Sequence, residues 1–294
     1  MVNDRSSIDA YWRLAIWCLR LSISFQCLGI AGRYLLAKFE TESPVYGVLY
    51  FESEFHESTA QLIDDLGVYG CLIAGVAILV TGFYSAYSRS THSDRAEQRL
   101  VLIETLILSG VFIWILSMGI GQTIRGDLFA RITLLEIAVR LATPVTLIIF
   151  LRLKNLNVKH YLFDAGLIIL LLATSTTFAV HGYKAIELYG TFLDYLLLSQ
   201  PLGFPLVTNQ QTAETLLWVI GWIDIGLAVA LVALRWQGVA LYMAAWGLLT
   251  AFSRVTASGL EAWPEVLIRA ANAGAPLTLF FLFRMKSFSK DTIK

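Results

Sequence analysis

Residues 144–154, PVTLIIFLRLK, and residues 276–286, PLTLFFLFRMK, share a proline, a Thr-Leu pair two residues on, an apolar run and an Arg-x-Lys end. The shift is 132 residues with no gap. An apolar run ended by two cations reads as the end of a transmembrane helix, where long basic side chains reach the headgroups. Its recurrence reads as an internal duplication. Further upstream, Thr59-Ala60 before Leu66-Gly67 is echoed by Thr212-Ala213 before Ile220-Gly221, and Gly32 is echoed by Gly182. The shifts of 153, 154 and 150 exceed 132 because Tyr84 to Arg99 in the first half shrinks to Arg235-Trp236-Gln237 in the second.

The composition agrees with a membrane reading. Of the 294 residues, 57% are apolar and only 15% charged, and mean hydropathy is +0.66. An ordinary soluble domain carries about 25% charge, so both a soluble globule and a disordered chain are excluded. Apolar stretches of about 20 residues recur throughout, and in lipid only a helix or a closed barrel satisfies its own backbone. The sequence therefore predicts an all-α polytopic membrane protein with eight spans, at 12–36, 62–86, 100–121, 131–151, 160–182, 212–234, 237–257 and 265–283. Residues 1–155 form the first four-helix repeat and 156–294 the second. Four helices per half is an even number, so the repeats are parallel, related by an axis along the membrane normal.

Net charge is zero, 22 basic against 22 acidic residues, which gives no reason to expect nucleic acid as a partner. Orientation follows from where the basic residues lie. The side holding both ends of the sequence carries 13 of the 22: Arg5, Arg13, Arg89, Arg95, Arg99, Arg152, Lys154, Lys159, Arg235, Arg284, Lys286, Lys290 and Lys294. The opposite loops hold Lys38, Arg125, Arg131 and Lys184. Both termini are expected in the cytoplasm. The external side is acidic, with Glu40, Glu42, Glu52, Glu54, Glu57, Asp64 and Asp65 among its residues. The first apolar run is longer than a signal-peptide core and has no clear small-x-small cleavage site, so a retained first helix is expected. Cys18, Cys27 and Cys71 all fall inside spans, an odd number without a CxxC, and read as buried apolar residues.

Four-helix units, a long external segment after the first helix of each, a glycine-containing second helix and an Arg-ended fourth helix resemble the DoxX-like superfamily, here duplicated over nearly the whole chain. The resemblance implies a bacterial cytoplasmic (inner) membrane protein. In some members it is a subunit of a thiosulfate:quinone oxidoreductase, and in others a partner or assembly factor for a redox enzyme. It transfers no catalytic residue. The thiol-dependent relatives that support methylamine dehydrogenase maturation rely on cysteines, and the lack of a Cys pair here argues against that branch.

Ionisable residues inside a span cost about 2.5–3.5 kcal/mol each on insertion scales, so each needs a reason. Glu104 and Asp164 are expected within reach of the inner headgroups, and Arg20 to snorkel toward them. Arg33, His181, Arg254 and Arg269 fall near the external ends of helices one, five, seven and eight. Glu136 and Arg140, four apart on helix four, suit a local ion pair. With Asp64-Asp65 at the mouth of helix two, these side chains are expected to form an outward-facing polar pocket whose guanidinium forks bind a quinone head or a lipid phosphate. The alternative is that the charges pair with one another and hold helices in register. Asp224, near mid-span, lacks a partner in sequence; it is expected either protonated or paired with Arg140 or Arg20. Trp114 and Trp246 lie near the middle of the third span of each half and are expected in the bundle core.

His56, His92, His160 and His181 sit in different segments and offer no haem pair, and no phosphate loop, HExxH or metal-spaced Cys/His cluster occurs. No covalently bound cofactor is expected; quinone or phospholipid is the candidate ligand. The resulting functional expectation is a non-catalytic membrane subunit in contact with lipids and with another membrane or periplasmic protein. Alternatives are a small transporter or proton-coupled permease using Asp224 and the Arg140 region, and a membrane-protein assembly factor. The segment Lys184 to Gln211, apolar but broken by Pro201, Gly203 and Pro205, is expected to lie in the outer interface or dip into the bundle.

Overall fold

The computed structural model describes residues 2–36, 42–87, 94–126, 128–153, 160–200 and 203–291. Lys38, Glu40, Arg89, His92, Lys154, Lys159, Pro201 and Lys294 lie outside the described residues, as do the side chains of Arg5, His160 and Lys290. The described elements are all helical: α1 Val2–Leu35, α2 Pro44–Gly47, α3 Glu57–Tyr87, α4 Asp94–Arg125, α5 Thr133–Glu136, α6 Ala138–Arg152, α7 His160–Ile186, α8 Gly190–Leu198, α9 Gln210–Leu234, α10 Gln237–Ser258, α11 Trp263–Ile268 and α12 Ala270–Asp291. A π-helical turn (Val48–Glu52) follows α2, and single 3-10 turns (Ala130–Ile132 and Leu260–Ala262) precede α5 and α11. Seven helices are long and apolar enough to cross a membrane, with an eighth if the pair Leu260–Ile268 and Ala270–Lys286, bent by 45°, counts as one span.

The helices are apolar nearly all round, as lipid-facing helices are, so helix α1 is placed by its buried stripe. Ala15, Leu19, Ile23, Cys27, Ile30 and Tyr34, three or four apart, are all buried. They face the most extensive neighbours of α1, helices α12 and α3, with α11 and α6 also in contact. In the second half α7 packs against α9 and α6. Helix α1 thus lies against α12, and α7 against α6. On α3 the opposite stripe, Ile73, Val76, Val80 and Phe83, is exposed. Cys27 and Cys71 are buried and Cys18 half-buried, all as free thiols.

Two helical stretches break at matching positions. Ile137 sits at φ −94°, ψ 10° between α5 and α6, and Arg269 at φ −95°, ψ 9° between α11 and α12. These positions are 269 − 137 = 132 residues apart, the shift of the proline motif. In each case the residue three further on, Arg140 or Asn272, donates its amide to the carbonyl of the break residue at 2.9 Å. Pro144 inside α6 has no N–H to donate at its ladder position and so frees the carbonyl of Arg140. Thr143 Oγ1 donates to that carbonyl at 3.2 Å.

Close helix approach depends on small residues. A Cβ on Gly29 of α1 would lie 2.5 Å from the Ile268 amide nitrogen, and one on Gly182 of α7 2.6 Å from the Gly221 carbonyl of α9. Helix α8 packs on α10 and α9. Behind it, Gln200 N donates to Thr256 O at 3.2 Å, and Ser199 and Thr256 share a hydroxyl hydrogen bond of 2.8 Å. The segment after α7 is therefore tied to the bundle, as its apolar composition suggested.

Candidate functional site

The charged residues near one end of the bundle converge because helix ends meet there. Arg33 is near the end of α1, Lys184 near the end of α7, and Arg254 four residues before the end of α10. Glu136 and Arg140 flank the break in the fourth span, and Glu265 and Arg269 lie at the break in the eighth. Together these seven line one cavity of about 500 Å³, with Gln26, Gln122, Thr133 and Tyr195 among its other walls. Of the residues expected from sequence, Arg33, Glu136, Arg140, Arg254 and Arg269 share this space. His181 and Asp224 line an adjoining cavity of about 290 Å³, which shares Phe192, Tyr195 and Arg254 with the first.

The charges are unevenly paired. Glu265 bridges two guanidiniums, accepting from Arg33 Nη1 at 2.6 Å and from Arg269 Nη1 at 2.5 Å. Arg269 Nη1 also donates to the Glu265 carbonyl at 3.0 Å. Glu136 accepts from Lys184 Nζ at 3.0 Å and lies 3.5 Å from His181 Nε2. Lys184 is further caged by aromatic rings, 4.3 Å from Tyr189, 5.4 Å from Phe129 and 5.9 Å from Phe192. Such rings stabilise an ammonium electrostatically.

Two cations are left without a carboxylate. Arg254 donates to the Thr250 carbonyl and, at 3.4 Å, to Ser253 Oγ, and its guanidinium lies 4.6 Å over the Tyr195 ring, yet its Nε has no partner. Arg140 Nε is likewise buried without a partner, and no salt bridge reaches Arg140 among the described residues. Gln26, fully buried in the wall, leaves both its amide nitrogen and its oxygen unpartnered. Counted over the described residues of the cavity lining, five cations face two carboxylates, a formal excess of 5 − 2 = +3 before His181 is considered.

Several expectations are corrected by this geometry. The Glu136–Arg140 pair does not form, because Ile137 interrupts the helix between them and Glu136 turns to Lys184 and His181 on α7. Asp64 and Asp65 do not belong to the pocket. Asp64 is buried, accepts from the amide and hydroxyl of Ser43 and so ties the chain before α2 to α3, while Asp65 accepts from Gln61 at 3.0 Å. Glu104 does not reach a headgroup and Arg20 does not snorkel; both are buried and joined at 2.8 Å. Asp164 is exposed and pairs with Lys286 at 2.7 Å. Asp224 meets neither Arg20 nor Arg140. It lies in the second cavity with Trp246 and Asn272, and its Oδ1 has no partner. Trp246 thus lines a cavity instead of core alone, whereas Trp114 fills the space over Gly67.

Sequence reasoning missed Glu265, Lys184 and Gln26. Glu265 carried the same i, i+4 signal to Arg269 that singled out Glu136 with Arg140. Lys184 read as a loop residue because α7 runs two residues beyond it, to Ile186. Gln26, uncharged, raised no alarm. Comparison of the chain with family models, with curated proteins and with solved structures gives no match.

Proposed function

We propose that this protein is a non-catalytic membrane-embedded binding subunit that holds an anionic headgroup in the charged cavity. The observation that carries the reading is the excess of three positive charges among the described residues of the cavity walls, with Arg140 and Arg254 in no salt bridge among them. Uncompensated buried charge is costly, and a structural network is expected to balance itself. An anion bound by guanidinium forks removes the imbalance. A neutral quinone accepts hydrogen bonds from the same donors but leaves the charge in place, so a phosphate-bearing lipid is the better ligand.

On this reading the chain has eight spans in two parallel repeats, which the paired breaks at Ile137 and Arg269 support. The excess of basic residues on the side of the termini supports cytoplasmic ends and an outward-facing cavity. The resemblance to DoxX-like proteins is what favours a bacterial inner membrane, and a redox or other membrane or periplasmic partner.

The test is native mass spectrometry of protein purified gently from its own membranes, beside Arg140→Gln. Retention of an acidic lipid by the wild type and its loss from the variant are expected. Equal carriage of bulk phospholipid by both proteins would sink the reading. Asp224 favours a second reading, proton-coupled transport, because it is the one acid of the adjoining cavity and its Oδ1 is unpartnered. That reading requires Asp224→Asn to abolish pH-dependent flux at unchanged expression.

A further inference from the structure

The two cavities share a wall, and the sharing narrows the ligand. The 500 Å³ space is polar and cationic, while the 290 Å³ space beyond Phe192, Tyr195 and Arg254 is lined by Leu217, Ile220, Leu249 and Phe252. Its rim is apolar and open to the side, since Leu206, Leu249 and Phe252 are each about half exposed. Arg254 belongs to both spaces, so a headgroup on Arg140 and Arg254 stands at the mouth of the apolar one.

One feature of the second cavity would be wrong for a plain hydrocarbon. Asp224 and Asn272 are each buried, at 6% and 5% exposure, and each has an Oδ1 without a hydrogen-bond partner, beside the Trp246 Nε1 donor of the same wall, which is also unpartnered. Buried acceptors in an apolar wall need a donor. We infer that the two cavities form one bipartite site for a phosphate-bearing lipid, with the phosphate between Arg140 and Arg254 and a chain in the apolar cavity, where a hydroxyl on the chain donates to Asp224 or Asn272. This rests on the anion-binding reading above and adds the chain and its polar group.

The experiment uses the full chain in nanodiscs of phosphatidylcholine. The probe is a monoacylglycerol phosphate with a photoreactive diazirine near the tenth chain carbon, made with and without a hydroxyl on the chain. Saturable labelling of the α9 peptide holding Leu217 and Ile220 is expected, about tenfold weaker in Arg140→Gln, the effect of losing a charged hydrogen bond. The hydroxylated probe should bind about fivefold better, the worth of one net hydrogen bond. Ile220→Trp should fill the apolar cavity and abolish this label while glycerol 3-phosphate, assayed separately, still binds with wild-type affinity.

Four results overturn the inference, in whole or in part, in distinguishable ways. Arg140-dependent binding with label only on outward residues such as Val229 and Leu248 removes the chain site and leaves the anion-binding reading intact. Glycerol 3-phosphate binding as tightly as the lipid makes the ligand a soluble phosphate ester. Loss of all Arg140-dependent binding defeats the anion-binding reading itself. Equal affinity of the two probes removes the hydroxyl alone.

Discussion

The two ends of the helical bundle handle buried charge differently. At one end Arg20 and Glu104 meet at 2.8 Å, both almost wholly buried, beside a cavity of about 310 Å³ whose walls carry two arginines, Arg13 and Arg20, and two glutamates, Glu97 and Glu104. At the other end five cations face two carboxylates around the larger cavity. In the first set each charge has a formal counterpart, although Arg20 Nε and Glu104 Oε1 are buried without a hydrogen-bond partner. The second is open. Counting charge over a whole cavity, more than finding any one ion pair, is what separates a structural network from a site that needs an occupant.

Substitutions sharpen that contrast. Glu104→Ala leaves Arg20 buried without its partner and should cost the most, about 3–5 kcal/mol in thermal or denaturant unfolding. The double variant Arg20→Met/Glu104→Leu should recover most of that loss, because no charge remains to be paired. Failure of the double variant to recover would mean that the pair does more than balance itself. Gly29→Ala forces α1 away from the amide of Ile268 and should cost about 1–3 kcal/mol as overpacking. It also moves Arg33 away from Glu265, so anion binding should weaken alongside stability.

At the open end the sign should reverse. Arg140→Gln removes an unpaired cation, so the ligand-free protein should unfold at the same temperature or slightly higher, within about 1 kcal/mol, while an added anionic lipid should stabilise it less than it stabilises the wild type. A loss of several kcal/mol without ligand would make Arg140 a structural charge and erase the contrast. The smallest effect belongs to Lys286→Ala. Its pair with Asp164 is about half exposed on both sides, and breaking it should change stability by less than about 1 kcal/mol in the same assay.

Much of the fold was legible because it depends on properties each residue carries alone. Apolar length located the helices, and the Pro144 and Pro276 motifs lie at the same 132-residue shift as the helix breaks at Ile137 and Arg269. The site was half legible. Arg33, Arg254 and Arg269 drew attention as costly charges near helix ends, and depth alone brought them together. Partners were not legible, since pairing depends on which faces meet. Ile137 took Glu136 out of register with Arg140, and Lys184 from α7 claimed it. Arg20 found Glu104 across α1 and α4, at 84 residues' separation. The apolar cavity could not be anticipated either, because it is a gap between α8, α9 and α10 and not a property of any segment.

The position of α1 against α12 also constrains how the molecule is made. The two helices are each other's most extensive neighbours from opposite halves, yet α12 begins 270 − 35 = 235 residues after α1 ends. At roughly 5–20 residues per second of synthesis, α1 waits on the order of ten to fifty seconds for that surface to arrive. During the interval its buried stripe from Ala15 to Tyr34, with Gln26 and Arg33 toward one end, faces lipid or whatever stands in for α12. Biogenesis, more than the finished fold, is where this protein is most exposed to a wrong neighbour.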